Sequence, residues 1–194
     1  MLHFWFGAPD DDAATLAAKE ARWFDADAAF DGECRARFAA LLSRAVGGEL
    51  DAWQQTPRGR LALIVLLDQL PRNIYRGRAA AFIGDARALR LALAGIDAGA
   101  DRALDPVERS FFYLPLEHAE DLALQERSVA AFAGLAAEVP PIQQALAVEW
   151  LGYARQHRDL IARFGRFPHR NRSLGRPSTA AEQTYLESAP AFGQ

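Results

Sequence analysis

The sequence contains a single cysteine and no long hydrophobic run, and both absences limit what the protein can be. Cys34 alone excludes an internal disulfide, and no Cys/His spacing typical of a zinc site is present. The longest apolar run, residues 61–67 (LALIVLL), is far shorter than the roughly 20 residues that span a bilayer. The N-terminus also lacks the basic start and long apolar segment of a signal peptide. We therefore expect a cytoplasmic location and no membrane partner.

Basic residues do not outnumber acidic ones, so the chain lacks the charge balance of a general nucleic-acid binder. Its 194 residues carry a net charge of −3 and have a pI near 5.8, whereas such binders carry a broad basic face. We therefore expect no nucleic-acid partner, and no motif indicates a cofactor. With 51% hydrophobic residues, the chain is suited to one compact domain over residues 1–194.

The hydrophobic pattern is helical nearly throughout. Apolar residues recur at three- and four-residue spacing, and β-branched residues are sparse. This pattern predicts an all-α fold of about six to eight antiparallel helices, arranged as a bundle or an α-solenoid. Glycine and proline positions predict helices over 31–45, 57–70 with an end at Pro71, 79–97 with a split at Gly84 and Asp85, 106–138 with a kink or a restart at Pro115, 141–164, and 179–186.

The segment FGRFPHRNRSLGR, residues 164–176, is rich in arginine although the whole chain is mildly acidic. No acidic residue occurs between Asp159 and Glu182. Several guanidinium groups on a rigid loop suit bidentate binding of a carboxylate or a phosphate. The alternative is that these arginines pair with the protein's own acids and tie down the last helix. The candidate binding residues are Arg166, His169, Arg170 and Asn171.

The segment LPLEHAEDLALQ, residues 114–125, is the natural acidic counterpart of the arginine loop. On one continuous helix, His118, Asp121 and Gln125 would share a face. A histidine beside a carboxylate can act as a general base, so His118 and Asp121 are candidate catalytic residues, with Glu117 or Asp121 orienting the ring. A structural role is the alternative. The ligand set is too poorly defined to indicate a metal site.

Asp68 follows seven apolar residues and ends a predicted helix. A carboxylate there opposes the helix dipole and needs a cationic partner, either Arg72 or the arginine loop. Asp68, Arg72 and Asn73 are therefore predicted to form one corner of a polar cluster. The segments DQLPRNIYRG (68–77) and RFPHRNRSLGR (166–176) share a proline, an Arg-Asn pair and an arginine near a glycine. This similarity reflects either a duplicated helix pair or chance.

Four motifs together resemble a bacterial family of unknown function, the domain-of-unknown-function family 924. They are FWFG, LLDQLPRNIYRG, FFYLPLEHAEDLALQ and FGRFPHRNRSLGR, and they occur in this order over nearly the whole chain. The resemblance implies a tetratricopeptide-like α-helical fold and leaves the activity open. Members of this family often have a serine after the histidine of the His-x-Glu-Asp block. This chain has Ala119 there, which argues against a serine nucleophile.

Two functions are consistent with these motifs, besides a purely structural role in which the polar clusters only lock the helices together. In the first, the three polar motifs form a pocket for a small anionic molecule, and acid–base chemistry at His118 would make the protein an enzyme. The anion would be held by Arg72, Arg166 and Arg170, with His169 and Asn171 as hydrogen-bond donors. In the second, a tetratricopeptide-like module clamps an acidic peptide segment or a terminal carboxylate.

Overall fold

A computed structural model describes residues 1–7 and 13–188 of the chain. All regular structure in these residues is helical, which confirms the all-α prediction. The helices are α1 Leu2–Phe6, α2 Ala13–Phe24, α3 Ala28–Val46, α4 Pro57–Ile74, α5 Asp85–Asp97, α6 Pro106–Glu117, α7 Leu122–Glu138, α8 Gln144–Phe164, α9 Asn171–Leu174 and α10 Ala180–Leu186. Short 3-10 helices lie at Asp51–Gln55, Ala79–Phe82, Ala100–Ala103, Pro141–Gln143 and Pro168–Arg170. None of the helices in this described part is long and apolar enough to cross a membrane.

The central helix is α4, which packs against α3, α5 and α6. Every residue from Leu61 to Ile74 is buried, because helices surround α4: residues 61–67 are all apolar, and the polar residues of its last turns pair with other buried side chains. The side chain of Thr56 caps its start by accepting a hydrogen bond from the backbone N–H of Gly59 at 3.1 Å. Pro57 occupies the first helical position, as predicted. On the far side of α6, α7 packs between α6 and α8.

The predicted helix end at Pro71 is wrong, because α4 continues through this proline to Ile74. Proline has no N–H to donate, so the carbonyl of Leu67 loses its helical hydrogen bond. Gly84 packs directly on that part of the helix, where a Cβ at position 84 would lie 2.9 Å from the Cα of Leu67. The predicted split at Gly84 is confirmed, and the close approach fixes the start of α5 and the position of Asp85.

We expect Gly84→Ala to lower the free energy of unfolding by about 2 kcal/mol, because the added methyl group would force α5 away from the backbone of α4. Urea denaturation followed by circular dichroism measures the change. Gly134→Ala is the matched control, since nothing lies within 4 Å of a Cβ at this helical position. The control variant should be as stable as the wild type or slightly more stable. Equal effects at the two positions would contradict the role given to Gly84.

The long helix predicted to kink at Pro115 is in fact two helices, and the break does not occur at the proline. Pro115 lies inside α6, which ends at Glu117. The chain then turns, and the side chain of Asp121 caps α7 by accepting the N–H of Leu124 at 3.0 Å. The amide Nε2 of Gln125 donates to the carbonyls of Glu117 and Ala119, at 2.5 and 2.8 Å, and stabilises the turn. This break also makes the helix count higher than predicted, as do the short helices α1 and α9.

Both ends of the described chain are anchored to the helical body. In α1, Trp5 and Phe6 are buried, and the indole N–H of Trp23 donates to the carbonyl of Trp5 at 2.9 Å. Near the other end, Thr179 and Glu182 form the predicted capping box of α10. The polar motifs of the middle and of the C-terminal region lie beside the end of α4.

Candidate functional site

Four chain segments bring polar side chains together at one place. They are the last turns of α4, the start of α5, the turn between α6 and α7, and the 3-10 helix Pro168–Arg170. Each segment is a helix end or a turn. The three polar motifs of the sequence therefore meet in space.

Asp68 and His118 form the buried centre of this site. Oδ1 of Asp68 lies 2.8 Å from Nδ1 of His118, and Oδ2 accepts a hydrogen bond from Nε2 of Gln69 at 2.5 Å. Burial alone would raise the pKa of Asp68, but the charge of Arg72 and the contact with His118 outweigh it and hold the pKa below its ordinary value. An ionised carboxylate only accepts hydrogen bonds, so Nδ1 of His118 carries the proton.

His118 is therefore a neutral imidazole whose Nε2 is the proton acceptor. Burial and the nearby charge of Arg72 lower the pKa of His118, and the carboxylate of Asp68 opposes this effect only in part. A neutral imidazole oriented by a carboxylate is the arrangement that general-base chemistry requires. The carboxylate that contacts the ring nitrogen of His118 is that of Asp68, not that of Glu117 or Asp121.

Arg72 connects Asp68 to α5. Its Nη1 and Nη2 donate to the two carboxylate oxygens of Asp85 at 3.0 and 3.1 Å, and Nη1 lies 3.4 Å from Oδ1 of Asp68. Arg72 also donates to the backbone carbonyl of Asp68. These two acids raise the pKa of Arg72 although its burial acts in the opposite direction. The guanidinium of Arg72 is consequently committed to the protein's own acids.

At this site, Arg170 has a side-chain donor that no partner in the described chain uses. Only 7% of it is exposed, and its guanidinium lies 4.9 Å from the ring centre of Phe82 and 4.5 Å from that of Phe167. Nη1 donates to the carbonyl of His118 at 3.0 Å. Nε is buried and has no hydrogen-bond partner among residues 1–7 and 13–188. Burial and the like charge of Arg72 lower the pKa of Arg170 to about 10, so it is still charged at neutral pH.

A second histidine, His157 on α8, lies beside His118, with the ring centres 6.4 Å apart. Nδ1 of His157 is 2.9 Å from the carbonyl of Tyr153 and 3.2 Å from Oε1 of Glu117. Burial lowers the pKa of His157 to about 3, whereas burial and the charge of Asp68 raise the pKa of Glu117 to about 8. Both side chains are therefore uncharged near pH 7.

Two cavities open beside these histidines. The first, about 70 Å³ in volume, is called the polar cavity, and it is lined by Trp23, Phe24, Gln69, Arg72, Asn73, Arg76, Phe82, His118, His157, His169 and Arg170. The second, about 390 Å³ in volume, is called the larger cavity, and it is lined by Glu20, Ala21, Phe24, Asp25, Ser110, Leu114, Glu117, His118, Phe132, Glu149, Trp150, Tyr153 and His157. Phe24, His118 and His157 belong to both linings.

Most of the predicted site residues lie at the polar cavity. Five of them line it directly: Arg72, Asn73, His118, His169 and Arg170. Asp68 lies behind His118 and contacts its ring. The amide of Asn73 donates to Asp31 at 2.9 Å, and Arg76 pairs with both oxygens of the same carboxylate at 2.7 and 2.8 Å. The polar cluster predicted around Asp68 is therefore present.

The remaining predicted residues, Arg166, Asn171 and Asp121, do not line either cavity. Arg166 forms a bidentate ion pair with the carboxylate of Glu182, with N···O distances of 2.7 and 2.9 Å. The side-chain amide of Asn171 donates to the same carboxylate at 3.3 Å. Asp121 is exposed and caps α7. Arg166 and Asn171 thus follow the alternative interpretation, in which the arginine loop pairs with the protein's own acids and holds the last helix.

Sequence reasoning missed several members of the site. Asp85 was noted only as a helix boundary, although it accepts both prongs of Arg72. His157 lies on an apolar stripe of α8, where a histidine is more often a core residue than a site residue, yet it lines both cavities. The available signal was the histidine itself, a polar side chain in the middle of that apolar stripe. Within residues 1–7 and 13–188, no group of three or more His, Cys, Asp or Glu side chains is arranged to hold a metal ion.

Comparisons with known proteins add a family and a related structure. Residues 1–190 match the model of a family described as bacterial protein of unknown function (DUF924). The solved structure of ATU0120, a protein of unknown function from Agrobacterium tumefaciens, is similar to this chain, with 42% sequence identity and a TM-score of 0.76. The match covers 92% of this chain and 100% of that one. No curated protein of known function matches significantly.

Proposed function

This chain belongs to the bacterial family of unknown function DUF924, as its four motifs predicted, and we propose that it binds a small carboxylate or other monoanion in the polar cavity. The observation that carries the proposal is the unused Nε donor of Arg170, a buried guanidinium that lines this cavity. A buried donor without a partner costs free energy. A bound anion would supply the missing acceptor.

The charges around the polar cavity favour a monoanion. Three arginines face three aspartates there, so the formal charges of the cluster cancel: Arg72, Arg76, Arg170, Asp31, Asp68 and Asp85. Since Arg72 and Arg76 are each paired through both prongs with an aspartate, recognition depends on Arg170 and its neighbours His169 and Asn73. Arg170 offers its unused donor to one added negative charge, whereas the second charge of a dianion would lie beside the carboxylates of the cluster, with which Arg72 and Arg76 are already paired.

Acid–base chemistry at His118 is the second part of the proposed function. Its Nδ1–H donates to Asp68, and its Nε2 can accept a proton from a bound molecule or from water. The chain supplies no serine beside this histidine, since residue 119 is alanine. The group that gives up its proton would therefore belong to the ligand or to water.

The volumes of the two cavities favour a small ligand over a peptide. The larger cavity, about 390 Å³, falls in the range of roughly 300–1,000 Å³ that is typical of small-molecule sites, whereas the polar cavity, about 70 Å³, has room only for a small group such as a carboxylate. The peptide-clamping module and the tetratricopeptide-like arrangement stay predictions that no contact described here favours.

We expect Arg170→Gln to weaken the binding of short carboxylates by roughly 10- to 100-fold, because a hydrogen bond to a charged group contributes about 1.5–3 kcal/mol. Isothermal titration calorimetry with acetate, butyrate and orthophosphate measures the affinities of the wild type and the variant. The proposal also requires the carboxylates to bind more tightly than orthophosphate.

Arg166→Gln is the matched control for this prediction. Arg166 lies in the same arginine loop but is paired with Glu182 and lines neither cavity, so its replacement should leave carboxylate affinity unchanged. Circular dichroism establishes that both variants are folded. Equal affinity in the wild type and Arg170→Gln would refute the proposed function, as would the absence of carboxylate binding to the wild type at millimolar concentrations.

A further inference from the structure

The larger cavity is lined by acidic side chains, whereas the polar cavity is lined by basic ones. Four carboxyl side chains line it: Glu20, Asp25, Glu117 and Glu149. None of its lining residues is Lys or Arg, whereas the polar cavity has three arginines and no acidic residue in its lining. Opposite charges thus lie on the two sides of the wall formed by Phe24, His118 and His157. A ligand that touches both sides would meet guanidinium groups at one end and carboxyl groups at the other.

Aromatic rings form much of the remaining surface of the larger cavity. Phe24, Trp150 and Tyr153 line it, and Trp150 donates its indole N–H to Oε1 of Glu20 at 3.0 Å. The faces of aromatic rings attract cations, and Trp does so most strongly. Carboxyl groups combined with aromatic faces are the usual surroundings of a bound ammonium group. Leu114 and Phe132 extend the apolar part of the lining, which suits a hydrocarbon chain.

Glu117 is the member of this lining that most needs a ligand. Only 4% of it is exposed, and Oε1 of its carboxyl group lies 3.2 Å from Nδ1 of His157. A backbone carbonyl can only accept, so the proton on Nδ1 of His157 is directed to Tyr153, 2.9 Å away. Burial of a carboxyl group is unfavourable unless donors surround it. A ligand ammonium group would provide such donors.

We propose that the larger cavity binds the ammonium group and apolar chain of an aminocarboxylate whose carboxylate lies against Arg170. This inference rests on the proposed function, which places the carboxylate in the polar cavity, and it adds the class of the whole molecule. The two cavities share Phe24, His118 and His157 in their linings, so a molecule with one end in each cavity would lie beside both imidazole rings. The bond or proton acted on by His118 would then lie between the two charged ends.

The test is a length series of ω-aminoalkanoates, from glycine to 8-aminooctanoate, compared with n-alkanoates and n-alkylamines of the same lengths. Isothermal titration calorimetry at pH 7 gives the affinity of each compound for the wild type. A compound that joins two binding groups binds much more tightly only when its length fits the separation of the two sites. We expect one chain length to bind at least tenfold more tightly than the alkanoate and the alkylamine of that length.

Two variants assign the two ends of the ligand. Glu117→Gln should reduce the affinity of the best aminoalkanoate toward that of the matching alkanoate and leave alkanoate binding unchanged. Arg170→Gln should reduce it toward that of the matching alkylamine. Glu126→Gln is the control, because Glu126 is an exposed carboxylate on α7 that pairs with Arg158 and lines neither cavity.

The outcomes separate the two proposals. If alkanoates bind through Arg170 but no aminoalkanoate binds more tightly, the aminocarboxylate inference is wrong and the proposed function stands. If no carboxylate compound binds, both are wrong. Tight binding of alkylamines without any contribution from the carboxylate would also overturn the inference. A gain that is insensitive to Glu117→Gln would show that the ammonium group does not lie in the larger cavity.

Discussion

Asp68→Ala is expected to lower the free energy of unfolding by about 3–5 kcal/mol at pH 7. Asp68 has no exposed surface, and its carboxylate contacts His118, Gln69 and Arg72. Removal of one partner from a buried ionic cluster leaves the opposite charge without compensation, which is among the most destabilising changes in a protein core. Urea denaturation of the wild type and the variant measures the loss. Asp68→Asn, which keeps the shape but not the charge, should lose less.

The pH dependence of this loss identifies the charge of Asp68 as its cause. The folded-state pKa of Asp68 is held below its ordinary value of 3.8, so its ionised form stabilises the native state at higher pH. That contribution is fully present above the unfolded pKa and disappears as the pH falls toward the folded pKa. The difference in stability between the wild type and Asp68→Asn should therefore be constant from pH 5 to 7 and shrink below about pH 4.

Asp97→Ala is the matched control for Asp68. Asp97 pairs with Arg127 at 3.1 Å, but its side chain is 67% exposed, so water screens the interaction. Exposed pairs of this kind contribute about 0–1 kcal/mol. A loss at position 68 as small as that at position 97 would mean that Asp68 is not the ionic centre of the site.

His118→Asn should couple strongly to Asp68→Asn in a double-mutant cycle, because the two side chains are in direct contact.

The sequence was sufficient to predict the helical class and the main polar clusters, but not the course of α4. The apolar run 61–67 indicates a buried helix, and the rule that proline ends a helix then favours an end at Pro71. In the structure, α4 is enclosed by other helices, and Gly84 packs against the backbone that the proline leaves unbonded. The packing of a residue that is distant in sequence therefore outweighs the free energy lost with the missing hydrogen bond at the proline. No local sequence pattern predicts that packing.

The partners of the charged residues were also beyond a local analysis. Asp85, Asp31 and Glu182 accept hydrogen bonds from arginines that are 13, 45 and 16 positions away, respectively. Sequence spacing predicts partners only three or four positions apart on one helix. This limit explains why Arg166 and Arg170 look equivalent in the sequence although only Arg170 lines the polar cavity.

The repeated Arg-Asn pair is a case in which the sequence contained more information than its first interpretation used. Arg72 and Arg170 both line the polar cavity, and both lie over the ring of Phe82, at 5.7 and 4.9 Å. The asparagine that follows each arginine donates to an acid held by a second arginine, as Asn73 does to Asp31. The two segments are therefore similar in their contacts as well as in their sequence. The arginine of each Arg-Asn pair lines the cavity in which we propose the ligand binds.

Glu117→Gln is expected to stabilise the protein, and the gain should grow with pH. Burial and the charge of Asp68 raise the pKa of Glu117 to about 8, so the native state holds a proton that the unfolded chain loses above the ordinary value of 4.5. Stability must then fall as the pH rises through this window, by about 1.4 kcal/mol per pH unit and about 5 kcal/mol in total. Glutamine does not titrate. Urea denaturation at pH 4.5, 6 and 8 should show the variant gaining stability over the wild type at each step.

Glu120→Gln provides a control of the opposite sign. The carboxylate of Glu120 accepts hydrogen bonds from Arg176 at 2.6 and 2.9 Å, and these contacts outweigh its burial and hold the pKa of Glu120 below its ordinary value. Its replacement should cost stability at neutral pH and cost less as the pH falls below about 4. If the stability difference for Glu117→Gln is instead flat from pH 4.5 to 8, Glu117 is ionised in the empty protein. Glu117 would then itself add a full negative charge to the larger cavity, and a ligand ammonium group would bind beside it without displacing a proton.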